Sequence, residues 1–174
     1  MIQTHPGVTD EVQTISVPAF HLATILDQDR IVIDSKVSSK KRLLEGVTAL
    51  LTHGSTLDTT RVFQILTERE RLGSTGIGEG VAIPHGRIDG LDKPVGAFIS
   101  LRKAINFDAQ DQQAVNLVFG LLVPEEATSQ HLAILAKLAG MFRDTALRRS
   151  LAAMNDANEV YNRLIHWDGT TGNT

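Results

Sequence analysis

The sequence predicts an α/β protein in which helices cover both faces of a small central sheet. Apolar residues recur at helical spacing in several segments, for example at Leu43, Leu44 and Val47. Short apolar runs of strand length lie between these segments, and Val115–Leu122 is apolar enough to be buried on both faces. Helical and strand segments in this arrangement are typical of a layered fold.

The composition restricts the classes of protein. The 174 residues suffice for one well-packed domain, and the formal net charge of −3 does not indicate a nucleic-acid-binding protein. The basic run at 40–42 is interpreted as a solvated helix face. The absence of cysteine excludes disulfides, thiolate metal sites and cysteine nucleophiles. No signal pattern is present, and no apolar stretch approaches the roughly 20 residues of a membrane span, so we expect a soluble, cytoplasmic protein without membrane insertion.

The chain is expected to form a single domain over residues 18–168. Residues 1–17 lack apolar periodicity and are predicted to form a loose leader, and residues 169–174 a frayed tail. The domain is predicted to begin with a short helix at Phe20–Leu26 and a strand at Ile31–Ile33.

Two helices follow this first strand. Ser38 or Ser39 can cap the first of them, which is predicted to end near Gly54. Asp58 opens the second helix, and Gly73 is its expected C-cap. The second helix therefore leads directly into a glycine-rich segment.

The second half of the chain is predicted to contain strands and then helices. Pro124 ends the last strand, and Thr128 or Ser129 can cap the helix after it. The predicted strands are Val81–Ile83, Gly96–Leu101 and Val115–Leu122, and the predicted helices are one carrying Leu132 to Phe142 and two at about 145–153 and 156–166.

The glycine-rich segment, GSTGIGEGVAIPHGR at residues 73–87, contains five glycines. Glycines at this density allow backbone N–H groups to approach a ligand closely. The segment ends with His85 between Pro84 and Gly86, and Arg87 follows. This arrangement suggests side chains that bind or carry an anion.

A phosphoryl group is one anion that His85 could carry, because a neutral imidazole nitrogen is nucleophilic near pH 7. Phosphoryl transfer requires hydrogen-bond donors to the oxygens of the group. The candidate donors are the hydroxyls of Ser74 and Thr75, the backbone N–H groups of the glycine segment, including Gly76 and Gly78, and the guanidinium of Arg69 or Arg87.

Other interpretations of this segment remain open or fit poorly. A lone Pro-His-Gly is often the end of a strand with a surface histidine. The segment lacks the Gly-Lys-Ser/Thr ending of a P-loop, and it follows a helix rather than the strand of a dinucleotide-binding unit. There is no His-Glu-x-x-His metal motif and no Gly-x-Ser-x-Gly elbow.

His131 is the second candidate, since it falls in the first turn of a predicted helix. The positive end of the helix dipole favours an anion there and disfavours an imidazolium. A neutral His131 can therefore orient or donate to a phosphate. The alternative is a partly buried histidine that packs among Leu132 and Leu135, or a solvated one.

Three blocks carry a family resemblance: VSSKKRLLE at 37–45, LTERERLGSTGIGEGVAIPHGR at 66–87 and LVFGLLVPEEATSQHLAILAKLA at 117–139. They resemble the IIA domains of the phosphoenolpyruvate-dependent phosphotransferase system, fructose/mannitol type, and most closely the nitrogen-regulatory branch. The resemblance runs from about Phe20 to Trp167, and the middle block is highly specific. It implies a mannitol-type IIA fold, with a mixed sheet of about five strands between helical layers.

The resemblance also implies roles for particular residues. His85 matches the histidine that becomes phosphorylated, at its tele nitrogen, and His131 matches a second histidine that contacts the phosphoryl group. Arg69 matches an arginine that contributes to phosphate or partner binding. No metal and no cofactor are implied.

The implied donor is a small phosphocarrier protein, similar to HPr or NPr, which enzyme I charges from phosphoenolpyruvate. The chain itself would be a phosphotransferase-system component with a phosphohistidine intermediate. The carrier is expected to dock on an apolar rim whose candidate residues are Leu72, Ile77, Val81 and Ile83.

Three functions remain open at this point. The GSTGIGEGVAIPHGR form and the absence of a fused IIB, IIC or carrier domain in the sequence favour a regulatory phosphocarrier, with targets such as potassium-transport proteins or sensor kinases. The alternative is a sugar-transport IIA that passes phosphate to a IIB domain. The third is an interaction module that keeps the fold without being phosphorylated.

Overall fold

The structure is a computed structural model that describes residues 20–169. The predicted leader at 1–17 lies outside the described residues, as does the predicted tail except Gly169. The elements in chain order are two short 3₁₀ helices (Leu22–Thr24 and Gln28–Arg30), β1 (Ile31–Ser35), α1 (Lys40–Thr52), α2 (Thr59–Leu72), β2 (Gly76–Gly78), β3 (Val81–Ala82), β4 (His85–Ile88), β5 (Val95–Ile105), β6 (Val115–Pro124), α3 (Thr128–Phe142), α4 (Thr145–Ala153) and α5 (Ala157–Ile165).

The strands form one mixed sheet with the order β1-β5-β6-β3-β2, in which β4 also pairs with β6. β6 is antiparallel to β5 and parallel to β3 and β4. β3 and β4 lie end to end along the same edge of β6, because Val81 pairs with Leu117 and His85 with Leu121, the same offset of 36 positions. The six strands found over residues 20–169 therefore correspond to the five expected, one of them interrupted before Pro84.

The core has two parts, one on each face of the sheet. Alternate residues of β6 point to opposite faces. Leu117 and Phe119 pack with the apolar sides of α3, α4 and α5, whereas Val118 and Leu122 pack with those of α1 and α2. The prediction that this strand is buried on both faces is confirmed, and the fold is the layered α/β arrangement that the sequence indicated.

The helix starts agree with the predictions, with one exception. The side chain of Ser39 accepts a hydrogen bond from the Arg42 N–H and caps α1, and Asp58 caps α2 in the same way. The prediction that Thr128 or Ser129 caps the third helix is wrong, since both lie inside α3 and Ala127 precedes it without a side-chain cap.

The first predicted helix, Phe20–Leu26, is reduced to a single 3₁₀ turn. The carbonyl of Ile25 accepts hydrogen bonds from the Gly96 N–H at 2.8 Å and from the Arg30 guanidinium at 3.2 Å. Because these tertiary bonds occupy the carbonyl, the chain turns away into β1 instead of extending a helix.

The helices formed by residues 20–169 do not combine the length and the apolarity that crossing a membrane requires.

Gly120 on β6 permits close contact with α1, and its replacement by alanine tests this packing. A Cβ at Gly120 would lie 2.4 Å from Val47 Cγ1. Valine is stiff at χ1 in a helix, so we expect Gly120→Ala to lower the free energy of unfolding by about 1–3 kcal/mol. Chemical denaturation followed by circular dichroism measures this change.

Gly140→Ala is the matched control. Apart from its two neighbours in the chain and the nearby backbone of its own helix, no atom of residues 20–169 lies within 4 Å of the position that a methyl group would take there. Because the residue is in α3, alanine should stabilise the protein by about 0.5–1 kcal/mol. Close contact between Gly120 and Val47 is contradicted if both alanine variants stabilise the protein. It is also contradicted if the additional change Val47→Ala does not reduce the loss of stability caused by Gly120→Ala.

Candidate phosphoryl-acceptor site

A cavity of about 1100 Å³ lies between the end of α2, the strand β4 and the start of α3. We refer to it as the histidine cavity. Its lining residues are Ile65, Glu68, Arg69, Arg71 and Leu72 from α2, His85, Gly86 and Arg87 from β4, Glu125, and Thr128, His131, Leu132 and Leu135 from α3.

The strand β4 determines which side chains of its segment reach the cavity. Its burial alternates, with His85 half-buried, Gly86 buried, Arg87 exposed and Ile88 buried. His85 and Arg87 therefore share one face of the strand. Gly86 lets α2 approach the strand, because a Cβ there would lie 2.4 Å from Ile65 Cγ2.

The orientation of the His85 ring is set by one hydrogen bond. Its Nδ1 lies 2.7 Å from the carbonyl oxygen of Ile83. A carbonyl can only accept, so Nδ1 carries the hydrogen and Nε2 of the neutral ring carries the lone pair. Burial lowers the pKa of His85, and the charge of Arg69 lowers it further, whereas the Ile83 bond and Glu70 act in the opposite direction. The ring is therefore neutral at pH 7, with Nε2 as its nucleophilic nitrogen.

His131 lies beside His85, with ring centroids 5.3 Å apart and planes at 69°, an edge-on contact. Its Nε2 is buried and has no hydrogen-bond partner among the described residues. Burial lowers the pKa of His131 to about 4, and His85, Arg87 and Arg69 contribute in the same direction. The structure thus brings together two neutral histidines, one of which has an unused polar atom.

The charges around the cavity suit an anion. Arg69, Arg71 and Arg87 line it, against Glu68 and Glu125. The guanidinium of Arg69 donates to the carbonyl of Gly73 at 2.8 Å, close to the end of α2. Among residues 20–169, no three His, Asp or Glu side chains are grouped in a way that could hold a metal ion.

The predicted glycine cradle requires correction, because four of its members do not line the cavity. The hydroxyl of Ser74 donates to the carbonyl of Phe107 at 2.9 Å, and that of Thr75 donates to the carboxylate of Glu70. Gly76 and Gly78 belong to β2, which pairs with β3. The donors of these residues serve the fold, and only Arg87 of the predicted cradle lies with His85 in the cavity.

The buried carboxylate of Glu70 was not found by sequence reasoning. It is bound by the Thr75 N–H at 3.2 Å and by Lys40 Nζ at 3.0 Å, so Lys40 is part of a buried network rather than a solvated face. A signal was available, because Val62, Leu66 and Glu70 recur at i, i+4 on the buried side of α2. This network fixes the end of α2 that carries Arg69.

The four residues predicted for the apolar rim differ in whether the structure exposes them. Leu72 is 86% exposed and lines the cavity, whereas Ile77, although 45% exposed, does not line it. Val81 and Ile83 are buried core residues, so their prediction as rim residues is wrong. Leu132, which is 63% exposed on α3 and lines the cavity, was missed.

The sequence profile of the family "Phosphoenolpyruvate-dependent sugar phosphotransferase system, EIIA 2" matches residues 24–167. The chain belongs to this family. The nitrogen regulatory protein of Bradyrhizobium diazoefficiens is 42% identical over 129 residues, which are 74% of this chain and 84% of that protein.

Solved IIA structures are similar to this one. The crystal structure of nitrogen regulatory protein IIA-Ntr from Neisseria meningitidis superimposes with a TM-score of 0.77 at 50% identity, covering 81% of this chain and 97% of that chain. The crystal structure of IIA mannitol from Escherichia coli gives a TM-score of 0.69 at 23% identity, covering 80% and 98% of the two chains. The predicted mannitol-type IIA fold is confirmed.

The low pKa of His131 predicts that acid destabilises the protein before carboxylates are protonated. His131 titrates at about 4 in the folded protein, and a histidine in the unfolded chain titrates at about 6.5. The unfolded state therefore binds the proton first, and this contribution to stability is complete above pH about 6.5 and is lost as the pH falls to about 4.

Denaturant titrations from about pH 7 to about pH 4.5 measure this loss. We expect the free energy of unfolding of the wild type to fall across this range more steeply than that of His131→Gln. His53→Gln, altered at the exposed end of α1, should behave as the wild type. Equal slopes for the wild type and His131→Gln would contradict the assignment.

Proposed function

We propose that the chain is a regulatory phosphocarrier that accepts a phosphoryl group on His85 and controls partner proteins according to its phosphorylation state. The observation that carries this proposal is the bond between Nδ1 of His85 and the Ile83 carbonyl, which leaves the lone pair on Nε2, in a cavity lined by arginines. The donor is a small HPr- or NPr-like carrier, which enzyme I charges from phosphoenolpyruvate.

The transfer itself exchanges one nitrogen–phosphorus bond for another. His85 Nε2 attacks the phosphorus of the carrier's phosphohistidine, the Nε2–P bond forms and the bond to the carrier's nitrogen breaks. The proton on Nδ1 stays on His85, and its bond to the Ile83 carbonyl stabilises the positive charge that develops on the ring. Proton transfer to or from His85 is therefore not needed in this step.

The remaining cavity residues act on the transferred group. Phosphoryl transfer depends on positioning and on donors to the three equatorial oxygens. Arg69 and Arg87 supply guanidinium donors, and charge-assisted bonds of this kind are about twice as strong as neutral ones. A hydrogen on Nε2 of His131, which has no acceptor among the described residues, can serve as a further donor.

Regulation follows from the change of charge. A phosphoryl group adds about −1.5 to −2 charges near pH 7. A like charge placed opposite it in an interface costs several kcal/mol, enough to move a partner from bound to free. The relatives named nitrogen regulatory proteins support this function, and potassium-transport proteins and sensor kinases are the targets we propose to examine.

Transfer to a sugar-specific IIB domain is the second candidate function. The description of the family profile, which names the sugar phosphotransferase system, favours it. The two functions share the same acceptor chemistry and differ in what receives the phosphoryl group. A third candidate, an interaction module that is never phosphorylated, leaves the neutral histidine pair without a role.

Incubation with phosphoenolpyruvate, enzyme I and the carrier tests the acceptor. We expect an acid-labile, alkali-stable phosphate on the wild type and none on His85→Ala, because the attacking nitrogen is lost. His53→Gln, with a histidine removed outside the cavity, should be labelled like the wild type. Labelling of His85→Ala would show that His85 is not the acceptor. A wild type that remains unlabelled would favour the interaction module.

Addition of an unphosphorylated sugar-specific IIB domain to the labelled protein separates the two transfer functions. A regulatory protein should retain its label over the time in which a mannitol-type IIA discharges. Rapid loss of the label to IIB would favour sugar transport.

The exposed leucines predict where the carrier docks. Leu72, at the end of α2, and Leu132, on α3, are both exposed and both line the cavity, so a protein that covers the cavity buries both. Burying a leucine contributes roughly 1.5–3 kcal/mol, and Leu132→Asp should therefore slow phosphorylation about tenfold or more without altering the fold. Stopped-flow or quench-flow labelling measures the rate.

Val32→Asp is the control for this variant. Val32 is 39% exposed on β1, at the opposite edge of the sheet from β2. We expect its labelling rate to equal that of the wild type. Equal rates for Leu132→Asp and Val32→Asp would show that the leucine is outside the docking surface.

A further inference from the structure

We propose that Thr128 positions Arg87 in the unphosphorylated protein, and that phosphorylation of His85 moves Arg87 from Thr128 to the phosphoryl group. The first turn of α3 then loses the hydrogen bond that joins its Thr128 side chain to β4. The inference rests on the proposed function, because it needs a phosphoryl group on His85. The sequence indicated Thr128 only as a possible helix cap. The inference gives this residue a role in communicating the phosphorylation state.

Two matched contacts between β4 and α3 carry this inference. His85 and Arg87 are two residues apart on one face of a strand, and Thr128 and His131 are three residues apart on one face of a helix. The ring of His85 contacts that of His131 at 5.3 Å, and Arg87 Nη1 donates to Thr128 Oγ1 at 3.2 Å. The side chains therefore form two neighbouring pairs, one at the acceptor and one immediately beside it.

Arg87 lies close enough to the acceptor to change partners. Its charge acts on His131, the ring that touches His85, and all four side chains of the two pairs line the same cavity. The guanidinium has five N–H donors in a planar fork that matches phosphate oxygens. Arg87 is two positions from His85 on the same face of β4, which is about 7 Å along a strand and within the length of an arginine side chain.

The strengths of the two bonds favour the exchange. The present bond joins a guanidinium to a neutral hydroxyl at an exposed position. A phosphoryl group offers oxygens that carry a full or partial negative charge, and bonds in which both partners are charged are shorter and stronger. Arg87 is thus expected to prefer Thr128 only while His85 is unmodified.

Within the described part of the chain, residues 20–169, few other side chains bond to the start of α3. Ala127 supplies no side-chain cap, and the first helical backbone bond runs from the His131 N–H to the Ala127 carbonyl at 2.9 Å. The Arg87–Thr128 contact joins this turn to β4. The bond that His131 can donate to the phosphoryl group lies three residues further along the helix and does not hold Thr128. Loss of the Arg87–Thr128 contact should therefore loosen the helix from Thr128 onward through its first turn and leave the end of the helix unchanged.

The loosened turn belongs to the surface that a partner covers. Thr128, Leu132 and Leu135 lie at helical spacing and line the cavity together. A partner bound over the cavity consequently contacts the turn whose order changes with phosphorylation. The phosphorylation state is then expressed as a change in shape as well as in charge.

Hydrogen–deuterium exchange on the full chain, before and after phosphorylation by the carrier, tests the proposal. The informative amides are those of His131, Leu132 and Ala133, whose bonds close the first turn of α3. In the wild type we expect their exchange to accelerate about threefold or more on phosphorylation, whereas amides around Leu138 should not change.

Three variants make the test specific. Thr128→Val has a similar shape without the hydroxyl, so its first turn should exchange fast both before phosphorylation and after phosphorylation has been carried to completion. Thr128→Ser keeps the hydroxyl and should restore the wild-type response. Ser129→Ala removes the neighbouring exposed hydroxyl, which does not line the cavity, and should also behave as the wild type. Thermal unfolding by circular dichroism confirms that each variant is folded.

The outcomes separate this inference from the proposed function. A wild type that is never labelled overturns both. A labelled wild type whose first turn exchanges at an unchanged or slower rate overturns the role of Thr128 and leaves the phosphocarrier function standing. The role of Thr128 is also overturned if the first-turn amides of Thr128→Val exchange at the wild-type rates both before and after phosphorylation.

Discussion

The geometry of the candidate acceptor site depends on the pairing of β3 and β4 along one edge of the central strand β6. The two segments keep the same register with β6, and the interruption at Pro84 separates them. The carbonyl of Ile83, just before this interruption, holds Nδ1 of His85. The sheet therefore fixes both the position of the histidine and the nitrogen that is free to react.

Burial and cations act together on the chemistry of the site. Removing an imidazole from water disfavours its charged form, and nearby arginines add to the effect. Both His85 and His131 are therefore neutral at pH 7, and neutrality is what leaves Nε2 of His85 its lone pair. The arginines that depress these pKa values are the same groups that can stabilise a phosphoryl group, so one set of charges serves both purposes.

The sequence predicted the elements with strong local signals and two histidines that the structure places in the same cavity. Ser39 and Asp58 were identified as caps, and β6 as a strand buried on both faces. His85 and His131, forty-six positions apart, are in contact in the structure. The structural features that the sequence did not predict depend on long-range contacts. One example is the hydrogen bond from the Gly96 N–H to the Ile25 carbonyl, which ends the first helical turn early. In the glycine-rich segment, the hydroxyl of Ser74 donates to the backbone carbonyl of Phe107, and the hydroxyl of Thr75 donates to the buried carboxylate of Glu70. A local sequence pattern does not show that these partners lie close to the segment.

The regiochemistry of the phosphohistidine is the most direct test of this account. Nitrogen–phosphorus correlation spectroscopy on the ¹⁵N-labelled, phosphorylated protein identifies the ring nitrogen that bears the group. Phosphorus on Nε2 of His85, with Nδ1 still protonated, is the predicted result. Phosphorus on Nδ1 of His85, or on any other histidine, would contradict it.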